Sequence, residues 1–366
     1  MKKALCLALL LALIAVSALG ETVDPNTIED TMNAENGVYE VAFISDVGDL
    51  KDKSFNEGTW NGVKLFAREH GVSYKYYIPA NGIRATDDDR YNAIIAAVDG
   101  GAKVVVAAGF MQFNALDRAA REHPEVVFIF NDGWDVGLDN VLSFAFREEQ
   151  CGYLAGYAVV KEGYEALGFA GGGGGTNAAC CRYGYGYIQG ANDAAREMGK
   201  TVRIRFSWSF GASFSASPDL QAMIAGWYET GTEIVFACGG AMFDSIASAA
   251  AAYDGAVVGV DVDQSNLSAA VVTSALKGIT SGTYQVLGRV YDGSWTELNH
   301  FITLGIQEDA VGLPLDTWSM EQFTQEEYLA LVEAMKCGEI VVDNAAAEGD
   351  PNAKGPWEHV LVEYID

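Results

Sequence analysis

Short, continuously apolar runs alternate with helical patterns along almost the whole chain, and this alternation constrains the fold more than any other feature. A first series occupies residues 40–45, 73–78, 103–108, 126–131 and 141–146. A second series occupies residues 166–170, 202–208, 233–238 and 256–261. Continuous rather than alternating runs are what parallel strands covered on both faces require. The segments between them read as amphipathic helices. Ser54 or Asn56 can cap one whose apolar stripe is Trp60, Val63, Phe66 and Ala67 and which stops at Gly71. Asp87, Asp88 and Asp89 open another, with Tyr91, Ile94, Ile95 and Val98 on one side. Acidic residues there favour a helix N-terminus better than they make a metal site. Strand, helix, strand in repetition predicts a doubly wound sheet, and two series predict two Rossmann-like α/β lobes.

The chain is long enough for two cores: 366 residues, half of them apolar. No Pro- or Ser-rich linker separates the series. The change of lobe falls at 146–153, and residues 270–277 and 284–293 read as elements of a returning chain. Several crossings predict a multi-strand hinge rather than two independent units. The division expected is 38–147 plus 270–300 for the N-terminal lobe and 148–269 plus 301–345 for the C-terminal lobe. Residues 346–366, with Gly349, Pro351, Gly355 and Pro356, are expected to form a loose tail ending in a short strand at 360–363.

The first twenty residues read as a signal peptide: Lys2 and Lys3, an apolar run over 4–16, then Ala18-Leu19-Gly20. The run is too short for a membrane span. Cys6 lies inside it rather than at the cleavage point, so no lipid anchor is expected. Export to the periplasm or the outer face of the cell envelope follows. The net charge of −27 repels nucleic-acid polymers and anionic lipid, although solubility explains most of such a charge. Beyond Cys6, the cysteines Cys151, Cys180, Cys181, Cys238 and Cys337 are odd in number and lack C-x-x-C spacing. The four histidines are scattered, which argues against zinc, and no cofactor is expected. Adjacent Cys180 and Cys181 form either a redox pair or, more commonly for such residues, small buried thiols.

The most informative stretch is 45–58, Ser-Asp-Val-Gly-Asp-Leu-Lys-Asp-Lys-Ser-Phe-Asn-Glu-Gly, which runs from the first strand into the first helix. Ligands of doubly wound sheets dock at such a place. Asp46 stands at the strand's carboxyl end, and Phe55 and Asn56 stand at the helix entry. A hydrophobic staple is the bland explanation of Phe55.

Residues 45–56 closely resemble the opening motif of the basic membrane protein family, the substrate-binding components of ABC transporters that include bacterial purine nucleoside receptors. The resemblance continues, in the same order, through Arg182-Tyr183-Gly184-Tyr185-Gly186-Tyr187-Ile188-Gln189-Gly190, residues 258–264, and Thr273-Ser274-Ala275-Leu276-Lys277. It spans roughly residues 38–345 and implies the type I periplasmic binding protein fold, a nucleoside ligand, and a membrane permease with its ATPase as partners. The receptor is expected to be a monomer without enzymatic activity. The implied ligand contacts are Asp46, Phe55, Asn56, Asp132, Phe214, Asp261 and Lys277, with Gly239 and Gly240 letting the backbone approach the ligand. Phe55 and Phe214 would sandwich the base, each stacked face being worth ~1–3 kcal/mol. Asp46, Asn56 and Asp132 are assigned to the base, and Asp261 and Lys277 to the sugar.

Two departures from the family bear on the ligand: bulky Met242-Phe243 follows the glycine pair, with Phe243 a candidate third aromatic wall, and residues 171–175 are all glycine. That glycine run lacks the Lys-Ser/Thr of a phosphate loop and reads as a flexible lobe edge. A secreted nucleosidase is the enzymatic alternative, but no nucleophile–base pair accompanies the separated aspartates. A sugar receptor of the same fold is the other.

Overall fold

The apolar runs become parallel strands in the computed structural model, which describes residues 24–30, 34, 36–45, 50–297 and 300–366. The expected leader, residues 1–20, lies outside the described residues. The first lobe begins β1 (Val41–Ile44), α1 (Phe55–His70), β2 (Tyr74–Tyr77), α2 (Asp87–Asp99) and β3 (Val104–Ala108). It continues α3 (Phe113–Glu122), β4 (Val127–Asn131) and β5 (Val141–Phe146). The second lobe follows with α4 (Glu148–Glu162), β6 (Ala166–Gly171), α5 (Ala178–Glu197), β7 (Val202–Ser207) and α6 (Pro218–Glu229). Next come β8 (Ile234–Cys238), α7 (Met242–Tyr253), β9 (Ala256–Asp261) and β10 (Val271–Lys277). The chain ends with α8 (Ile279–Tyr291), β11 (Phe301–Leu304), β12 (Val311–Gly312), α9 (Gln325–Lys336) and β13 (Val360–Ile365).

One sheet has the order β11-β5-β4-β3-β1-β2, all parallel. The other is β12-β10-β9-β8-β6-β7-β13, parallel except for β12. Strands β1, β3 and β5 are buried along their length, because apolar clusters pack on both faces of the first sheet. Local signals start and stop the helices. Thr86 and Asp89 form a reciprocal capping box for α2, and Gly71 ends α1 with φ of 65°. Strand order reverses between β1 and β3 in one sheet and between β6 and β8 in the other. Those reversals open crevices at the strands' carboxyl ends, and the two crevices face each other.

Three boundaries differ from the sequence reading. Residues 270–300 do not form one block: β10 pairs with β9 in the second sheet, and only α8 belongs to the first lobe. There α8 packs on α1, with Thr280 Oγ1 donating to the Gly58 carbonyl at 3.0 Å. Residues 301–304 likewise leave the C-terminal lobe, because β11 extends the first sheet beside β5. The residues from 346 onward are docked rather than loose. β13 pairs with β7 over six positions, Trp208 Nε1 donates to the Gly349 carbonyl at 2.7 Å, and the Gly349 amide donates to Gly175 at 2.9 Å. Parallel pairing joins segments distant in sequence, so periodicity marks the strands without assigning them to a sheet.

The chain therefore crosses between lobes at Arg147, Gly278 and Gly305. These points lie side by side: the Arg147 amide donates to Leu304 at 2.9 Å, and Gln150 Oε1 accepts from the Ile306 amide at 2.9 Å.

Candidate functional site

Residues of both lobes line one common cleft, at the place where ligands of doubly wound sheets dock. Eight of the nine residues singled out in the sequence line it: Phe55, Asn56, Asp132, Phe214, Gly239, Gly240, Asp261 and Lys277. Asp46 lies outside the described residues.

On the first lobe the site is built around the entry to α1. Ser54 occupies the N-cap position but makes no cap hydrogen bond with its side chain. Asp52 caps the helix instead. Its carboxylate accepts the amides of Ser54, Asn56 and Glu57 at 3.0, 3.0 and 3.1 Å, and the Asn56 side-chain amide at 3.1 Å. Burial nevertheless pushes the Asp52 carboxyl up to about 6. Freed from capping, the Ser54 hydroxyl donates across the cleft to Asp261 Oδ2 at 2.5 Å. The other oxygen of Asp261 accepts from Tyr183 at 3.2 Å.

Lys277, at the end of β10, is the electrostatic centre. Its ammonium bonds Asp132 Oδ2 at 2.6 Å and lies 3.1 Å from Glu148 Oε1. It also stands 5.1 Å from the Phe55 ring centroid and 5.0 Å from that of Phe146. Glu148 is fully buried and is gripped by Arg182 through two contacts of 2.7 Å. Burial works against charge on Lys277, but Asp132, Glu148 and Asp261 outweigh it and hold the ammonium protonated. Glu148, with two cations, is held below the usual carboxylate range despite burial. At Asp132 burial outweighs the attraction of Lys277 and, with the like charges of Glu148 and Asp261, raises the carboxyl to about 6. Among the described residues its Oδ1 is buried without a hydrogen-bond partner. A donor from a ligand would satisfy it.

The second lobe supplies the opposite wall. The Phe214 ring lies so close to Gly172 that a Cβ there would stand 2.3 Å from the ring, and a Cβ on Gly239 would stand 3.3 Å from it. The glycine run is thus the floor beneath Phe214 rather than a flexible lobe edge. Asp132, Phe214 and Asp261 all have left-handed backbones, with φ of 55°, 56° and 66°. A non-glycine residue there costs on the order of 1–3 kcal/mol, a strain that clusters at functional sites. Met242 and Phe243 pack into the lobe's core at 0% and 3% exposure, so Phe243 adds no third wall to the cleft.

Sequence reasoning missed Glu148, quoted Asp52, Arg182 and Tyr183 without a role, and gave Ser54 only a capping role. The Asp-x-Ser spacing before α1 is a signal for Asp52 and Ser54. Glu148 and Arg182 meet because α4 and α5 cross at glycine contacts: a Cβ on Gly152, Gly156, Gly186 or Gly190 would stand 2.0–2.1 Å from the facing helix's carbonyl oxygens. The small-residue spacing on both helices is readable only once their pairing is known.

The family model "ABC transporter substrate-binding protein PnrA-like" matches residues 39–345. The ABC transporter nucleoside-binding protein BmpA of Lactococcus lactis is 25% identical over 86% of this chain and 91% of its own length. Basic membrane protein B of Borreliella burgdorferi is 26% identical over 73% and 78%. Among solved structures, a solute-binding protein of an ABC transporter system from Aeropyrum pernix superposes with a TM-score of 0.65 at 21% identity, covering 84% of this chain and 88% of that one. Another, from Conexibacter woesei, gives 0.65 at 20% identity over 85% and 100%. These two share the fold. Among the described residues no helix is long and apolar enough to cross a membrane. The chain belongs to the Bmp family of PnrA-like ABC transporter substrate-binding proteins.

Proposed function

We propose that the chain captures a nucleoside, with purine nucleosides preferred, and delivers it to a membrane permease without altering it. The observation that carries this reading is the pairing of Phe55 and Phe214, from opposite lobes, on one cleft that also holds Asp132, Asp261 and Lys277. Two rings from facing lobes suit a flat base, and they engage it together only when the lobes close. The orphaned Asp132 oxygen suits a base N–H, and the Asp261–Lys277 side suits sugar hydroxyls. A site built to pair such groups rejects analogues lacking them. The name of the Lactococcus relative supports the same ligand class.

The direct test is mass spectrometry of small molecules released when the purified protein is denatured, followed by calorimetric titration with inosine, adenosine, free bases and sugars. Nucleoside binding with no turnover supports the proposal. Binding of sugars alone, or release of free base from inosine, overturns it. Phe55→Ala is expected to weaken nucleoside binding by roughly 5- to 150-fold, the value of one stacked face, with little change in the unliganded melting temperature. Asp261→Ala tests the same site less cleanly, since it strips Ser54 and Tyr183 of their acceptor. Removal of residues 1–20 on export is checked by N-terminal sequencing of the mature protein.

A further inference from the structure

Two buried thiols in the cleft wall are used by none of the contacts described above. Cys151, Cys180, Cys181 and Cys238 are all buried in the core of the second lobe. Two of them have ordinary structural places: Cys151 Sγ donates to the Leu276 carbonyl at 3.2 Å, and Cys181 Sγ donates to Gly175 at 3.4 Å. Neither lines the cleft. Cys180 and Cys238 do. The Cys180 sulfur faces the Cys238 carbonyl at a long 3.9 Å, which sets the two cysteines side by side in the cleft wall. Cys180 sits in the first turn of α5, and Cys238 is the last residue of β8. We propose that Cys180 and Cys238 form a reversible disulfide in the wall of the binding cleft, which makes ligand capture sensitive to the redox state outside the cytoplasm.

Geometry selects this pair over the adjacent Cys180 and Cys181. Successive helical residues point in directions about 100° apart, and Cys181 is turned to Gly175. The compartment of an exported binding protein favours disulfides. The oxidant is a disulfide-bearing thiol carrier, and the exchange balances. Cys180, the more exposed of the two at 7% against 1%, loses its proton and attacks one sulfur of the carrier disulfide, releasing one carrier thiol. Cys238 then loses its proton and attacks the Cys180 sulfur, releasing the second. Two S–H bonds of the chain and one S–S bond of the carrier become one S–S bond of the chain and two carrier thiols. Burial holds the Cys238 thiol well above its usual range, consistent with its acting second.

The link reaches the ligand through the backbone. The Cys238 carbonyl accepts the Gly172 amide at 2.8 Å, and both Gly172 and the neighbouring Gly239 sit against the Phe214 ring. Drawing the first turn of α5 onto the end of β8 therefore moves the platform under Phe214. A ligand filling the cleft, in turn, covers both sulfurs.

The test uses the full chain, freed of ligand and incubated with oxidised glutathione. In a Cys337→Ser background, which removes the exposed thiol that glutathione would cap, the intact mass should fall by about 2 Da relative to the reduced form, and proteolysis should yield Cys180 and Cys238 peptides joined to each other. Dithiothreitol should reverse both changes. Cys180→Ser should abolish the loss, while Cys151→Ser should keep it. Saturating inosine should slow the reaction, and the inosine dissociation constant should differ about fivefold or more between the two redox states. Absence of the link, a link through Cys181, or equal affinity in both states overturns the proposal. If reduced protein does not bind inosine, the nucleoside reading fails on its own. The mass change and linkage still decide the cysteine pair, and the affinity comparison passes to the molecule recovered from the denatured protein.

Discussion

Single residues in the cleft serve the fold and the ligand at once, and Asp52 is the clearest case. It satisfies three amides at the entry of α1 and frees Ser54 to reach the other lobe. Asp52→Ala is expected to destabilise the unliganded protein by about 1–2 kcal/mol in chemical denaturation, the usual worth of a helix cap. It should weaken ligand binding as well. The pH dependence follows from Asp52 and Asp132, both raised from 3.8 to about 6. A carboxyl raised by folding binds its proton more tightly in the folded chain than in the unfolded one. Stability from these two groups is therefore present at the acidic end of the interval and lost as pH rises through about 6. Asp30 acts oppositely: despite burial, Lys51 and Lys64 hold it near 2, and its contribution is lost only in stronger acid. The unliganded protein should melt roughly 2 °C or more higher at pH 5 than at pH 7, and Asp132→Asn should shrink that difference. At this scale the sequence was informative about what the motif names: Phe55, Asn56, Asp261 and Lys277. It was silent about the roles of Asp52 and Glu148, whose importance comes from partners that only folding supplies.

At the scale of elements, helix packing positions charge. The glycine contact between α4 and α5 brings Glu148 and Arg182 together, and Glu148 then helps hold Lys277. A Cβ on Gly186 would stand 2.0 Å from the Glu149 carbonyl oxygen. Gly186→Ala is thus expected to cost about 1–3 kcal/mol through forced separation of the helices and to lower ligand affinity, although residue 186 lies outside the cleft. Denaturant titration and calorimetry on the same variant measure the two effects. Most strands were legible because each apolar run is long enough to be recognised alone, whereas the short β11 and β12 were not read as strands. Sheet membership was not legible, as β10 and β11 demonstrate: both exchange lobes relative to the sequence reading, because neighbours in a parallel sheet are chosen by long-range register. The tail misled for a related reason. Its terminal strand was read at 360–363, but the Pro and Gly residues before it suggested looseness, and the partner that docks it, β7, lies more than 150 residues earlier.

At the scale of the whole molecule, the lobes are joined by three backbone crossings and meet at the cleft through Ser54–Asp261 and Lys277–Asp132. Ser54→Ala removes one of these links without touching either ring. It should favour the open arrangement of the unliganded protein, seen as a larger radius of gyration in solution scattering, and lower affinity by about fivefold or more, the usual worth of a charge-assisted hydrogen bond. The three crossings have a mechanical consequence of their own. Two bodies tied at one point can swivel in any direction, whereas bodies tied at three adjacent points are left with bending about a single axis. Opening then has one coordinate, so a single distance suffices to follow it. Dyes attached at Ile78 and Tyr253, exposed positions on opposite lobes, would turn the receptor into a ratiometric gauge of its own occupancy.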